Sequence, residues 1–411
     1  MNMKYLPLDT AGASRAGYQQ QVKEANIKRI FDLVRSGKCK SRAELVRAMK
    51  LSATSVSVLV EELEARDLIS ETGPAHTTLP GRRPISLRMN SDERQIAVFT
   101  LRRDGVLYAL LNLACEVVES RLFPLEAAGL CKEDAGDAYA ALIEDMLTRR
   151  ARRFNRKKAL AVGICFPGVY IQSEGMFSNL SALGVNFSEA SIRRLRDRLR
   201  LPVYLFNVTK CLAYAEKKHM DALKPDDPET LDMIFVEIHD RISSALISRG
   251  SIYTGPLNTS GEIGHMTLMY GGRRCPCGNE GCLERYVNQS AILEDARAAC
   301  EAAGTEAPAT LEALARRYPD EPALNAAVMN SAHMLASGLY SVLVSSGLRR
   351  VVLGGGIEVL GEPFLRELRR ELKRRDVLMR HVYLDYAQAG PDAESVGLAQ
   401  YFLDKIYTIT V

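Results

Sequence analysis

The chain has 411 residues, 47% hydrophobic and 25% charged, with a net charge of +4 and nine cysteines. This is the composition of a soluble globular protein of two or three domains with a sizeable core. The opening MNMKYLPLDT lacks the apolar core of a secretory leader, and no run approaches the ~18 apolar residues of a membrane span.

A cytoplasmic protein with no membrane partner is therefore expected. Cys39, Cys115, Cys131, Cys165, Cys211 and Cys300 are scattered without a disulfide framework, which fits a reducing compartment. Charge is uneven: residues 1–90 carry 15 Lys and Arg against 9 Asp and Glu, and the other 321 carry 39 against 41. A basic front on a nearly neutral body points to a polyanion binder at one end.

From about Gln20 to Val34 the apolar residues Val22, Ala25, Ile27, Ile30, Leu33 and Val34 recur at helical spacing. Gly37 ends that helix. Ser41-Arg42-Ala43-Glu44 is a capping box that opens a second helix through Lys50. Ser52 is an N-cap for a third, in which Val56, Leu59, Val60 and Leu63 form one buried stripe. The opposite face offers Thr54, Ser55 and Ser57, which with Ser52 are the candidate groups for base edges and phosphates. Two short helices joined by a tight turn describe a helix-turn-helix.

Leu68 to Glu71 and Ile85 to Arg88 read as strands flanking GPAHTTLPGRRP. That long loop makes a wing tipped by Arg82 and Arg83, suited to a minor groove or a phosphate clamp. The alternative for both arginines is a solvated charge pair.

From Gln95 the pattern changes. Ile96–Leu101, Val106–Leu113 and Val117–Phe123 read as a β-meander, followed by a helix from about Glu133 to Arg153. Strands at Leu160–Phe166, Val203–Phe206 and Asp232–Glu237, with helices between, argue an α/β body with a mixed sheet.

The stretch from Gly261 to Glu284, GEIGHMTLMYGGRRCPCGNEGCLE, carries the sharpest chemistry. Cys275, Cys277 and Cys282 stand at C-x-C-x4-C spacing, with His265 ten residues upstream. Three thiolates and an imidazole make a tetrahedral Cys3His site for a structural Zn2+. The alternative is three reduced thiols in a Gly-rich loop. His219, His239, His333 and His381 have no partners at ligand spacing and are expected to be structural or at the surface.

GEIGH followed by CPCGNEGCLE resembles the signature of the ROK family, which unites bacterial sugar kinases with sugar-responsive transcriptional repressors. The run from Ile27 to Met89 resembles the winged helix that the repressors carry and the kinases lack. The resemblance implies a winged helix-turn-helix over residues 1–90. Behind it would lie a two-lobed actin-like, ribonuclease H-like sugar-kinase body, with one lobe at 91–205 plus 393–411 and the other at 206–392. It places Glu262, His265 and Glu284 at sugar-contacting positions, adds Asn179 in Ser178-Asn179-Leu180 and Asn207, and makes His265 a zinc ligand.

The kinases of this family use two glycine-rich phosphate turns and an aspartate in an Asn-Asp-Ala run. Here the turns read Phe99-Thr100-Leu101-Arg102-Arg103-Asp104 and Glu237-Ile238-His239-Asp240-Arg241-Ile242-Ser243, without their glycines, and the run reads Asn207-Val208-Thr209-Lys210. Valine cannot take a proton. Gly354-Gly355-Gly356 remains, and reads as a strand-to-helix turn.

The expected function is thus a DNA-binding regulator, a repressor without kinase activity. It would act as a homodimer or homotetramer on a double-stranded operator and answer to a sugar or sugar derivative. The alternatives are a kinase with atypical phosphate loops and a regulator controlled by a protein partner.

Overall fold

The computed structural model describes residues 15–406, apart from 75–84, 103–104, 125–134, 172–175, 179–185, 225–226, 228–229, 256–257 and 376–381. Two compact units are present. One comprises Met1–Phe166, Glu189–Phe206 and Leu398–Val411, and the other Pro167–Ser188 and Asn207–Gly397. Residues 167–188, assigned to the first lobe from sequence, group with the second unit.

In the first unit, helix α1 (Arg15–Arg35) begins five residues before the expected Gln20, because residues 15–19 carry no apolar stripe to mark them. Its Ile27, Ile30, Phe31 and Val34 are buried. Helix α2 (Arg42–Met49) is capped by Ser41, whose side chain accepts the Glu44 N–H. The Glu44 carboxylate accepts the N–H of Lys40 at 2.7 Å, one residue before the partner of a reciprocal capping box. Lys50, at φ 55°, closes α2. Helix α3 (Ala53–Glu64) follows at once and buries Val56, Leu59, Val60 and Leu63, each worth about 1.5–3 kcal/mol before conformational entropy. Arg42 ties α2 to α3 and to the first strand through Glu64 at 3.2 Å and Glu71 at 2.7 Å.

Strands β1 (Ile69–Pro74) and β2 (Ile85–Met89) pair antiparallel, Ile69 opposite Met89 and Glu71 opposite Leu87. Three helices and this hairpin make the expected winged helix. The wing tip, with Arg82 and Arg83, lies outside the described residues.

Strands β3 (Gln95–Leu101) and β4 (Gly105–Asn112) are buried along their whole length, and β5 (Val117–Pro124) completes the meander. Helix α4 (Ala135–Asp145) is shorter than expected. It widens into a π-helical turn, Met146–Arg150, closed by the Ala151 N–H on Met146 O at 2.8 Å. Strand β6 (Ala159–Phe166) runs parallel to β3. The chain then forms the small sheet of β7 (Val169–Ile171), β8 (Met176–Ser178) and β9 (Asn186–Ser188). Helix α5 (Glu189–Leu199) and β10 (Val203–Asn207) complete a sheet of order β10-β6-β3-β4-β5.

The second unit opens with α6 (Val208–Leu223), then a meander of β11 (Met233–Ile238), β12 (Ile242–Ser248) and β13 (Ser251–Tyr253). Helices α7 (Glu284–Val287), α8 (Gln289–Ala303), α9 (Leu311–Arg317) and α10 (Pro322–Ser346) follow. Strand β14 (Arg350–Gly354), α11 (Gly361–Arg375), β15 (Tyr383–Tyr386) and α12 (Ala393–Tyr401) complete the chain order. The sheet is β13-β12-β11-β14-β15, with β11, β14 and β15 parallel.

Each unit thus has a meander whose first strand is flanked by a parallel one, the duplicated α/β topology expected of the actin-like fold. Helix α10 is long and apolar enough to cross a membrane. It is a core helix of the second unit, burying Leu324, Val328, Leu335, Leu339 and Leu343, so its composition reflects packing.

Candidate functional site

The loop after β13 is pinned to the sheet before it reaches its chemistry. Ser244 donates its backbone N–H and its hydroxyl to Gly261 O, at 3.0 and 2.8 Å. Gly261 has φ +100°, and a Cβ there would lie 2.1 Å from Ser244 O, so only glycine fits. A short 3-10 turn, Ile263–His265, then presents the imidazole. The chain returns as a small hairpin in which Leu268 N–H reaches Gly281 O at 2.7 Å. Gly281, at φ +76°, sits hard against Met269 O. Arg273 fastens the hairpin to α8 through Asp295 at 2.5 Å.

This folding brings His265, Cys275, Cys277 and Cys282 together, with one ligand atom of each within 4.8 Å of every other. Cys275 Sγ is 3.7 Å from His265 Nδ1, and Cys277 Sγ is 3.7 Å from Cys282 Sγ. A disulfide would require about 2.05 Å. A tetrahedral ion with metal–sulfur bonds of about 2.3 Å and a metal–nitrogen bond of about 2.0 Å separates sulfurs by ~3.8 Å and sulfur from nitrogen by ~3.5 Å. The four donors fit such an ion.

Their electrostatics also suit a cation. Burial pushes the Cys275 and Cys282 thiols up, while the backbone N–H of Asn279 holds Cys277 down. A metal would reverse the cost of ionising the two raised thiols. Asn279 supports the cluster from outside, donating to Thr267 Oγ1 at 2.9 Å and to Cys282 Sγ at 3.4 Å.

Glu284 lies beside the cluster, 4% exposed. Its Oε1 accepts from Cys275 Sγ at 3.0 Å, and its Oε2 is buried without a hydrogen-bond partner. An orphan carboxylate oxygen of this kind is a ready acceptor for a hydroxyl. Glu262 precedes the 3-10 turn. Desolvation by the surrounding loop raises its carboxyl above the usual range, with His265, Lys210 and Arg241 opposing.

Asn207 is the N-cap of α6. Its Oδ1 accepts the Lys210 N–H at 3.0 Å and its Nδ2 donates to Gly168 O at 2.9 Å, so most of its amide is committed to the backbone. Asn179 lies outside the described residues. Sequence reasoning passed over Lys210, which is 8% exposed, because a lysine early in a helix ordinarily reads as a solvated charge.

Around the kinase-type turns, the Gln289 side chain donates to Gly355 O at 2.7 Å and Ile238 O at 3.2 Å, and Asn288 donates to Asp240 O at 2.7 Å. Residues 354–356 are thereby tied to the end of β11, as the structural reading of that turn expected. His333 corrects another expectation. Its Nε2 meets Glu367 Oε1 at 2.6 Å, with Glu371 close by on α11. Arg370 and Arg374 bind those carboxylates at 2.5 and 2.8 Å, making an interhelical ion-pair network.

At the other end of the chain, Ser52, Thr54 and Ser55 are exposed at the start of α3 and Ser57 is half-buried. The Ser52 and Ser55 hydroxyls bond each other at 2.8 Å, and Ser52 also accepts the Ser55 N–H at 3.0 Å. Both therefore serve the cap, and Thr54 is the unencumbered hydroxyl. Val58, 47% exposed one turn after Thr54, is an apolar group on that polar face that sequence reasoning missed.

Comparison with known proteins agrees with this architecture. The xylose repressor of Bacillus subtilis is 25% identical over 395 residues, 94% of this chain and 98% of that protein. The Escherichia coli DNA-binding transcriptional dual regulator NagC is 27% identical over 282 residues, 68% of this chain and 66% of that protein. Among solved structures, a ROK family transcriptional regulator described as a homologue of E. coli MLC superposes with a TM-score of 0.76 at 22% identity, covering 93% of this chain and 97% of that one. A ROK hexokinase from Thermus thermophilus covers 74% of this chain and 96% of its own, with a TM-score of 0.60 at 23% identity. The family profile described as ROK family matches residues 109–405, and the chain belongs to the ROK family.

Proposed function

We propose that this chain is a DNA-binding transcriptional regulator, a cytoplasmic repressor of carbohydrate-metabolism genes whose ROK body senses a sugar or sugar derivative. Residues 1–90 grip the operator. The lobes at 91–205 with 393–411 and at 206–392 serve as sensor. The observation that carries this reading is the winged helix, with the exposed lead of α3, joined to a ROK body in one chain whose likeness to a repressor runs nearly end to end.

Thr54 and Val58 face the major groove, where a hydroxyl reads base edges and a branched methyl contacts the thymine methyl. Ser52, Ser55 and Ser57 set the helix against the backbone, and Arg82 and Arg83 clamp phosphates or the minor groove. A symmetric homodimer, alone or within a homotetramer, would read a near-palindrome. Glu262, Glu284 and His265, with Asn179 and Asn207, form the effector site. The metal is Zn2+, held by His265, Cys275, Cys277 and Cys282. When bound it supplies structure, fixing the loop that carries both glutamates.

No phosphotransfer is assigned. Val208 at the head of α6 cannot act as a base, and Gln289 bridges the turns where kinases of this family bind phosphates.

The test is retention of a double-stranded fragment from the chain's own promoter by the purified protein, with its release by sugars. Failure to retain any such fragment, or turnover of ATP and a hexose by the same preparation, would overturn the reading.

A further inference from the structure

The start of α6 holds an unusual concentration of positive charge. Lys210 sits in the first turn, where the positive end of the helix dipole makes a cation unfavourable. It is also 8% exposed, in a place where lysine is almost never found unless paired. Its ammonium has three donors and makes one hydrogen bond, to Asn258 O at 3.2 Å. Among the described residues no carboxylate lies within ion-pair distance of it.

The nearby acids do not remove this excess. Glu262 acts on Lys210 only through space. Glu237 is engaged by Thr209, whose hydroxyl donates to its Oε2 at 2.6 Å. Val208, the first residue of the helix, adds no charge. Asn207 caps one first-turn amide, that of Lys210, and a helix start leaves several without an internal acceptor. A desolvated ammonium with spare donors and a helix N-terminus are each electropositive, and together they form an anion cradle.

We propose that the effector is an anionic sugar derivative whose carboxylate or phosphate is received by Lys210 and the N-terminal end of α6. Its hydroxyls then meet Glu262 and the orphan oxygen of Glu284. This deepens the regulatory reading above and rests on it for the word effector; the anion site itself does not depend on DNA.

The experiment is calorimetry on the full chain, free of DNA. The panel pairs aldoses with their uronates, aldonates and 6-phosphates, which also separates a carboxylate from a phosphate. At least one anionic member is expected to bind about 10- to 100-fold tighter than its neutral parent, the range of one charge-assisted hydrogen bond. Raising salt should narrow the gap. Lys210→Met should collapse the ratio to near unity, and Lys210→Arg should preserve most of it. Absence of heat from every anionic sugar, equal binding of parent and anion, or an unchanged ratio in Lys210→Met overturns the proposal. If Lys210→Met does not fold, the wild-type ratios and Lys210→Arg decide. Anion binding in a protein that retains no promoter DNA would refute the regulatory reading and leave the anion site standing.

Discussion

Arg35, the last residue of α1, forms an ion pair with Asp404, 369 residues further along the chain. Both belong to the first unit, so the helix that supports the DNA-reading elements is tied to the final helical turn of the body. The side chains are 17% and 12% exposed, and Arg35 Nε already lacks a partner.

Asp404→Asn should therefore destabilise the first unit by ~2 kcal/mol, less than the ~3–5 kcal/mol of a fully buried pair because some exposure remains. Urea denaturation of the variant measures it. A loss under about 0.5 kcal/mol would mean that solvent already screens the contact.

Metal content gives a second prediction. Cys277→Ser should lower zinc from about one ion per chain towards none, and His265→Ala should do the same. Chelation of the wild type should lower its melting temperature together with its sugar response, because the same loop carries Glu262 and Glu284. Full zinc occupancy in both variants, measured by elemental analysis, would reject the ligand set.

Binding to DNA gives a third. Arg82→Ala with Arg83→Ala should weaken promoter binding and reduce the slope of log K against log salt by about two. Thr54→Ala should lower discrimination between the operator and a scrambled duplex while leaving the slope unchanged. Gel shifts across a salt series separate the two behaviours.

The pH dependence of stability gives a fourth. Burial raises the Glu237 carboxyl above the usual range, with the Thr209 hydroxyl opposing. A folded-state pKa above the unfolded one favours the protonated form in the native state. That contribution is complete below the unfolded value and is lost as pH rises through the folded one. Glu237→Gln, which still accepts from Thr209, should therefore match the wild type near pH 4 and become progressively more stable than it towards neutrality. Melting curves across that range check the sign.

The sequence revealed features whose cause lies within a few residues. Ser52 and the stripe Val56, Leu59, Val60 and Leu63 define α3 by capping and periodicity, which act locally. The thiolate cluster was legible because its cysteines crowd one turn and the resemblance supplies His265. Features made by tertiary neighbours stayed hidden. Lys210 differs from a surface lysine only in what surrounds it. His333 and Glu367 lie 34 positions apart and meet only because α10 packs on α11. Asn207 showed the right residue type, but its capping role depends on where β10 hands over to α6.

The shared strand order of the two sheets has a bearing on solubility. In each, the third strand of the meander lies at the margin, leaving backbone groups that another molecule could pair with. The first unit guards β5 with charge, since Glu119, Ser120 and Arg121 lie along it and Glu119 and Arg121 sit over neighbouring groups. The second guards β13 by brevity, allowing it three residues. Replacing Glu119 and Arg121 with valines would remove the first protection, and the concentrated protein should then associate through β5.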